Sequence, residues 1–207
     1  MTWFSDPRLE DERVLLEPLQ MEHIPALEEA AAESDLSQLW YTSAPSPDGV
    51  RTDVERRLGY RQAGDWAPYA IFDRSTGLAL GMSGYLHIPS RVRRLEIGGS
   101  WMRRSAHGTG ANIAAKRLLL GHAFDRLACM AVEFRTHRFN LQSRRAIEAL
   151  GAQLDGVLRN HFDAFGNPRD TCVYSITAPE WPLVNRHLEW RLERKASVAE
   201  SRPNANP

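Results

Sequence analysis

At 207 residues, with 43% hydrophobic and 25% charged residues, the chain has the size and balance of one well-packed globular domain, which excludes bulk disorder and a fibrous repeat. Lys+Arg and Asp+Glu each number 26, so the formal net charge of zero gives no general reason to bind nucleic acid or an anionic membrane. No apolar run approaches the roughly 18 residues of a spanning helix, and the N-terminal Met-Thr-Trp-Phe-Ser-Asp turns acidic within ten residues, so a cytoplasmic protein without a signal peptide is expected.

Residues 13–19 read as a strand, and 21–32, rich in Ala, Glu and Leu, as a helix. Pro45, Pro47 and Gly49 break the pattern before a second helix over 50–62. Strand-like runs at 67–72 and 78–88 flank Asp73-Arg74-Ser75-Thr76-Gly77, which suits a short hairpin turn, and a third strand covers 92–102. A glycine loop leads into a helix over 111–127 whose buried stripe is Ile113, Leu120, Phe124 and Leu127. A strand at 131–136, a short helix at 142–150 closed by Gly151, and strands at 153–162 and 171–176 follow. This order predicts an α/β fold with one mixed, mostly antiparallel sheet and helices on both faces. The domain is expected to span 1–178, with an amphipathic helix over 179–195 packed on it or extending it, and a disordered tail over 196–207.

Cys129 and Cys172 stand 43 positions apart, and the seven histidines show no ligand spacing, so two buried thiols and no metal are expected. The most informative stretch is Trp101-Met102-Arg103-Arg104-Ser105-Ala106-His107-Gly108-Thr109-Gly110-Ala111-Asn112, which joins a strand end to a long helix through two glycines. Glycines let backbone approach a phosphate, and the N–H groups of a helix start present the positive end of its dipole. The same stretch also reads as a plain strand-to-helix turn. A Walker loop would need Lys-Ser/Thr where Ala111-Asn112 stand, and a dinucleotide fingerprint would need a glycine at Ile113.

Several blocks in order resemble the GNAT N-acetyltransferases, and in particular their RimJ/RimL-like branch. They are Leu95-Glu96-Ile97-Gly98-Gly99-Ser100-Trp101, the loop Gly108-Thr109-Gly110-Ala111-Asn112 with Lys116, Val132-Glu133-Phe134-Arg135-Thr136, Asn140 with Ser143-Arg144-Arg145-Ala146-Ile147 and Leu150-Gly151-Ala152, and Gly156-Val157-Leu158-Arg159. The resemblance implies that the loop wraps the pyrophosphate of acetyl-CoA and that the preceding strand pairs with the pantetheine arm. The family loop is usually Gln/Arg-x-x-Gly-x-Gly/Ala; here Ser105 fills its first place and His107 the place where Arg or Lys often sits. One cationic contact is therefore either missing or supplied by Arg103 or Arg104.

In that family the residue matching Asn140 bonds the acyl-CoA arm, and the one matching Ser143 lies near the thioester sulfur; Arg144 flanks the phosphates. Read physically, Asn140 is equally an N-cap and Ser143 the third residue of its helix. An alkylamine is mostly protonated at neutral pH, so attack on a thioester needs a base, and Glu96 is the candidate, acting through water. Period-two alternation would put it on one face with Gly98, Ser100 and Met102; a solvated carboxylate or a partner for Arg93 or Arg94 is the plainer reading. Tyr85, Trp40, Tyr41 and Trp66 are candidates for lining the acceptor pocket. The expected partners are acetyl-CoA and a primary amine, without nucleic acid or membrane, in a monomer or homodimer. The expected activity is acetyl transfer in a ternary complex, against a non-catalytic acyl-CoA sensor of the same fold.

Overall fold

A computed structural model describes residues 4–89, 91–163 and 166–200. One eight-stranded sheet runs through it in the order β1-β2-β3-β4-β5-β6-β8-β7. Its strands are β1 (Leu9–Glu10), β2 (Val14–Pro18), β3 (Ala67–Asp73), β4 (Ala79–Leu86), β5 (Arg94–Met102), β6 (Ala131–His137), β7 (Gln153–Phe162) and β8 (Pro168–Thr177). The helices are α1 (Ile24–Ala32), α2 (Val50–Gln62), α3 (Ala111–Gly121), α4 (Leu141–Glu148) and α5 (Trp181–Glu200).

The β3–β4 hairpin forms where Asp73 and Gly77 predict it. Asp73 Oδ1 accepts the backbone N–H groups of Ser75 and Thr76 at 3.0 and 2.9 Å, and Gly77 takes a φ of +73°. Antiparallel pairing holds throughout the sheet except between β5 and β6, which are parallel. Two apolar clusters fill the two faces. One packs Leu95, Ile97 and Met102 under Ile113, Leu120, Trp181 and Leu188, so α3 and α5 cover that face. The other packs Met82 and Trp101 under Leu27 of α1 and Val54 of α2.

Three sequence expectations need correction. The two-residue strand β1 is too short to give a periodic signal. The helix expected over 111–127 is α-helical only to Gly121 and continues as a wider π-type turn over His122–Arg126. The last helix starts at Trp181 and continues to Glu200, so 196–200 is helical, while 201–207 of the expected tail lies outside the described residues. Among the described residues no helix is long and apolar enough to cross a membrane.

Candidate active site

Strands β5 and β6 pair only over Arg94–Glu96 and Ala131–Glu133, then diverge toward their C-terminal ends. A cavity of about 450 Å³ opens between them, lined by Ile97 to Met102 on one side and Phe134 to His137 on the other. The loop after β5 feeds the N-terminus of α3, and the turn after β6 feeds that of α4. Two helix starts therefore face the mouth, the arrangement by which open α/β sheets bind anionic ligands at the carboxyl ends of parallel strands.

At the first start, Gly108 and Gly110 hold φ values of +80° and +103°, a left-handed region that L side chains avoid. Thr109 fixes the loop by donating to Ala106 O at 2.8 Å and accepting from Ala111 N at 3.2 Å. His107, Gly108, Gly110 and Asn112 line the cavity, with Trp101 and Met102 before them. Arg103 does not: its guanidinium is buried, ion-paired with Glu33, and donates to Ala79 O at 3.1 Å. The hydrogen bond from Arg103 holds the Glu33 carboxyl down at about 2, and Ser105 donates to the same carboxylate at 2.7 Å. Arg103 and Ser105 thus brace the loop against α1, and Arg104 is not part of the lining either.

Two further cations beside this loop belong to α5, the late helix expected to pack on the domain or extend it. Arg191 and Lys195 both line the cavity; Lys195 Nζ donates to Gly108 O at 2.6 Å and Arg191 donates to Ala149 O. A Cβ on Gly110 would meet Lys195 Cδ at 3.1 Å, so α5 packs directly on the loop.

At the second start, Asn140 Oδ1 accepts from Ser143 N at 3.0 Å and caps α4. This uses the carbonyl of the amide and leaves its NH₂ as a donor. Asn140 and Ser143 both line the cavity, and the Ser143 hydroxyl has no protein partner among the described residues. Arg144 is committed elsewhere, donating to the Tyr174 hydroxyl at 2.9 Å and to Arg138 O at 3.4 Å.

The floor is a β-bulge. Met82 pairs with Trp101 and Gly84 with Gly98, so Gly99 and Ser100 together face Ser83, with Gly99 at a φ of +60°. The extra residue breaks the alternation: Met102 joins Leu95 and Ile97 on the α3 face, opposite the side Glu96 shares with Gly98. Glu96 itself does not line the cavity. Its carboxylate lies 3.6 Å from Arg135 and 3.9 Å from His87, and burial raises its pKa. Beneath the bulge Lys116 of α3 is buried, with Nζ donating to Ser83 Oγ at 2.7 Å and to Ser100 Oγ. The two hydroxyls stand 2.9 Å apart.

Of the aromatic candidates, Tyr41 lines the cavity mouth with Thr42 and Ser43. Trp40 is 74% exposed and stands edge-on to Tyr41 and His137, outside the lining. Tyr85 is a core residue: it is fully buried on the α3 face and its hydroxyl donates to Leu119 O at 2.6 Å. Trp66 is buried too, stacked on Tyr60. Two arginines line the cavity instead: Arg57, which as part of the basic pair Arg56-Arg57 is expected from the sequence to be solvated surface, and Arg169, for which the sequence suggests no role. Arg57 is buried, bonded to Asp53 at 2.7 Å and to Gly99 O at 2.9 Å, and burial lowers its pKa. Among the described residues no cluster of three or more His, Cys, Asp or Glu side chains is placed to hold a metal.

Residues 13–153 match the family of the Acetyltransferase (GNAT) domain, Acetyltransf_3. A curated relative, the "Uncharacterized N-acetyltransferase YoaA" of Bacillus subtilis (strain 168), is 29% identical over 112 residues, which are 54% of this chain and 62% of that protein. The matched region is thus less than two thirds of that relative's length. A T. thermophilus chain named as an acetyltransferase is 34% identical, with 91% of this chain and 99% of that one covered at a TM-score of 0.78. Mycobacterium smegmatis RimJ, solved in complex with CoA-disulfide, shares the fold at 20% identity, with 90% and 95% covered and a TM-score of 0.73. The chain belongs to the GNAT acetyltransferase family.

Proposed function

We propose that the protein transfers an acetyl group from acetyl-CoA to a primary amine by direct attack within a ternary complex. The observation that carries this reading is the splayed β5–β6 cleft with two helix N-termini at its mouth and two α5 cations beside the first. In this reading the pyrophosphate sits on the backbone N–H groups after Gly108, between His107, Arg191 and Lys195. The pantetheine arm lies along β5 and meets the Asn140 amide. That path brings the thioester toward the bulge and the Ser143 hydroxyl, a free donor for the sulfur as it leaves as thiolate.

Direct attack is favoured over an acyl-enzyme because Cys129 and Cys172 are buried and outside the cavity lining, and burial raises the Cys129 thiol to about 11. The acceptor enters past Tyr41, Arg57 and Arg169, and its class is either a protein N-terminal α-amine, as in the RimJ/RimL-like branch, or a small amine. The test is thiol release from acetyl-CoA with a panel of N-terminal peptides, amino acids and polyamines, products being read by mass spectrometry and succinyl-CoA run in parallel. Acceptor-dependent release of CoA with an acetylated product is expected; binding of acetyl-CoA with no release under any amine would favour a sensor.

A further inference from the structure

Lys116 is one of only two lysines in a chain whose other strong bases are all arginine. The second, Lys195, reaches the phosphate loop, whereas Lys116 lies on the buried stripe of α3 with Ile113 and Leu120 and touches the cavity from below. Its Nζ has two hydroxyls as partners, Ser83 and Ser100, and no carboxylate is in ion-pair contact with it among the described residues. A buried ammonium without a counter-charge is penalised, and lysine, unlike arginine, relieves this by losing its proton.

The titratable groups that share the cavity lining are basic, Tyr41 aside. Arg57 comes from α2, Arg135 and His137 from β6, Arg169 from β8, and Arg191 and Lys195 from α5, with His107 in the loop. Of the nearby acids, Asp53 is held by Arg56 and Arg57, and Glu96 faces Arg135 and His87. Ser100, by contrast, is exposed to the cavity on the bulge, at the point of β5 where the thioester would lie.

We propose that Ser100 and Lys116 form the proton relay that deprotonates the acceptor amine, with Ser83 positioning the lysine. A substrate ammonium against Ser100 gives one proton to Oγ while the Ser100 hydroxyl proton passes to the Nζ lone pair. The neutral amine then attacks the thioester carbonyl: the C–N bond forms, the C–S bond breaks, and a second N–H proton leaves with the CoA sulfur. Lys116 returns its proton to solvent through Ser100 before the next turnover. Burial lowers its pKa to about 7, so the acceptor form is populated at neutral pH.

This inference rests on the transfer reading above, and the experiment separates the two. With the panel amine that gives the fastest release, wild-type kcat/KM should rise through about pH 7, and Lys116→Met and Lys116→Arg should lose that rise with about a 10²-fold deficit at neutral pH. Ser100→Ala should lose activity comparably while leaving acetyl-CoA affinity unchanged by calorimetry. Independently of any acceptor, ¹³C labelling at lysine Cε gives two side-chain signals, of which the one absent in Lys116→Met should titrate near neutral pH. Full activity with a wild-type pH profile in Lys116→Met, or a Lys116 signal still protonated at about pH 9, far above the neutral range the relay needs, would overturn the relay alone. Wild-type protein that binds acetyl-CoA and releases no thiol with any amine would overturn the transfer reading, and the relay with it.

Discussion

Replacing Lys116 by methionine should stabilise the folded chain most at and below neutral pH and progressively less as the medium becomes alkaline. The side chain is buried among apolar residues of α3, and burial brings its amine from the usual 10.5 down to about 7. Between those values the unfolded chain binds a proton that the folded chain does not, so this group makes stability rise with pH across that window and leaves it flat below about 7. The folded lysine then costs about 4 kcal/mol at pH 7 and about 2 kcal/mol at pH 9 relative to a neutral side chain. Methionine removes that cost and forgoes two hydrogen bonds worth about 1 kcal/mol each, while Ser83 and Ser100 remain 2.9 Å apart and bond each other. The net gain should be about 2 kcal/mol at neutral pH and close to zero two pH units higher. Urea unfolding of both proteins at several pH values measures it directly, and the difference between pH values does not depend on the hydrogen-bond allowance. An advantage that stays constant from about pH 7 to 9 would show that Lys116 is charged in the fold and would refute the reasoning.

Lys195→Met should weaken CoA binding about 3- to 10-fold by calorimetry and reduce its salt dependence, since a partly exposed cation near a pyrophosphate contributes modestly and is screened. Ser143→Ala should lower kcat about 10- to 100-fold with little change in acetyl-CoA affinity, as expected for a donor to developing thiolate charge, whereas Asn140→Ala should weaken acetyl-CoA binding and also cost about 1 kcal/mol of stability through the lost cap. Glu96→Gln should preserve the rise of kcat/KM with pH, because the carboxylate faces Arg135 and His87 rather than the cavity; a flattened profile would restore it as the base.

The strands and helices of the sheet were legible because their signals are local. Asp73 and Gly77 mark the hairpin, Gly110 and Asn140 mark the starts of α3 and α4, and Gly151, at a φ of +99°, ends the latter. The bulge at Gly99–Ser100 is not a local signal, since it depends on how β4 registers against β5, and it reversed the face assigned to Met102. Tyr85 illustrates a second limit. Alternation says which face a residue takes, but not that α3 covers that face and supplies Leu119 O to its hydroxyl. Arg191 and Lys195 were hidden for the same reason, because only the packing of Leu188 and Leu192 on the core brings the late helix back to the loop. Lys116 alone left a readable trace: a lysine at the spacing of a buried stripe, in a chain with only one other lysine.

The charge distribution of the cavity gives that lysine its meaning. A CoA ester brings several negative charges, and the cations at the loop end, Arg191 and Lys195, suit it there. At the bulge end Arg57 is neutralised by Asp53 and turned onto Gly99 O, so it holds the bulge in shape rather than offering a free charge. A permanently charged group beneath Ser100 would repel an incoming ammonium and hold it in the form that cannot attack, whereas a neutral amine can receive its proton. The stability and rate measurements on Lys116→Met therefore decide jointly. A variant that is more stable at neutral pH and as active as wild type would mark the lysine as a packing compromise. A variant that is more stable and about a hundredfold slower would mark a group whose burial costs stability because the chemistry requires it to be neutral.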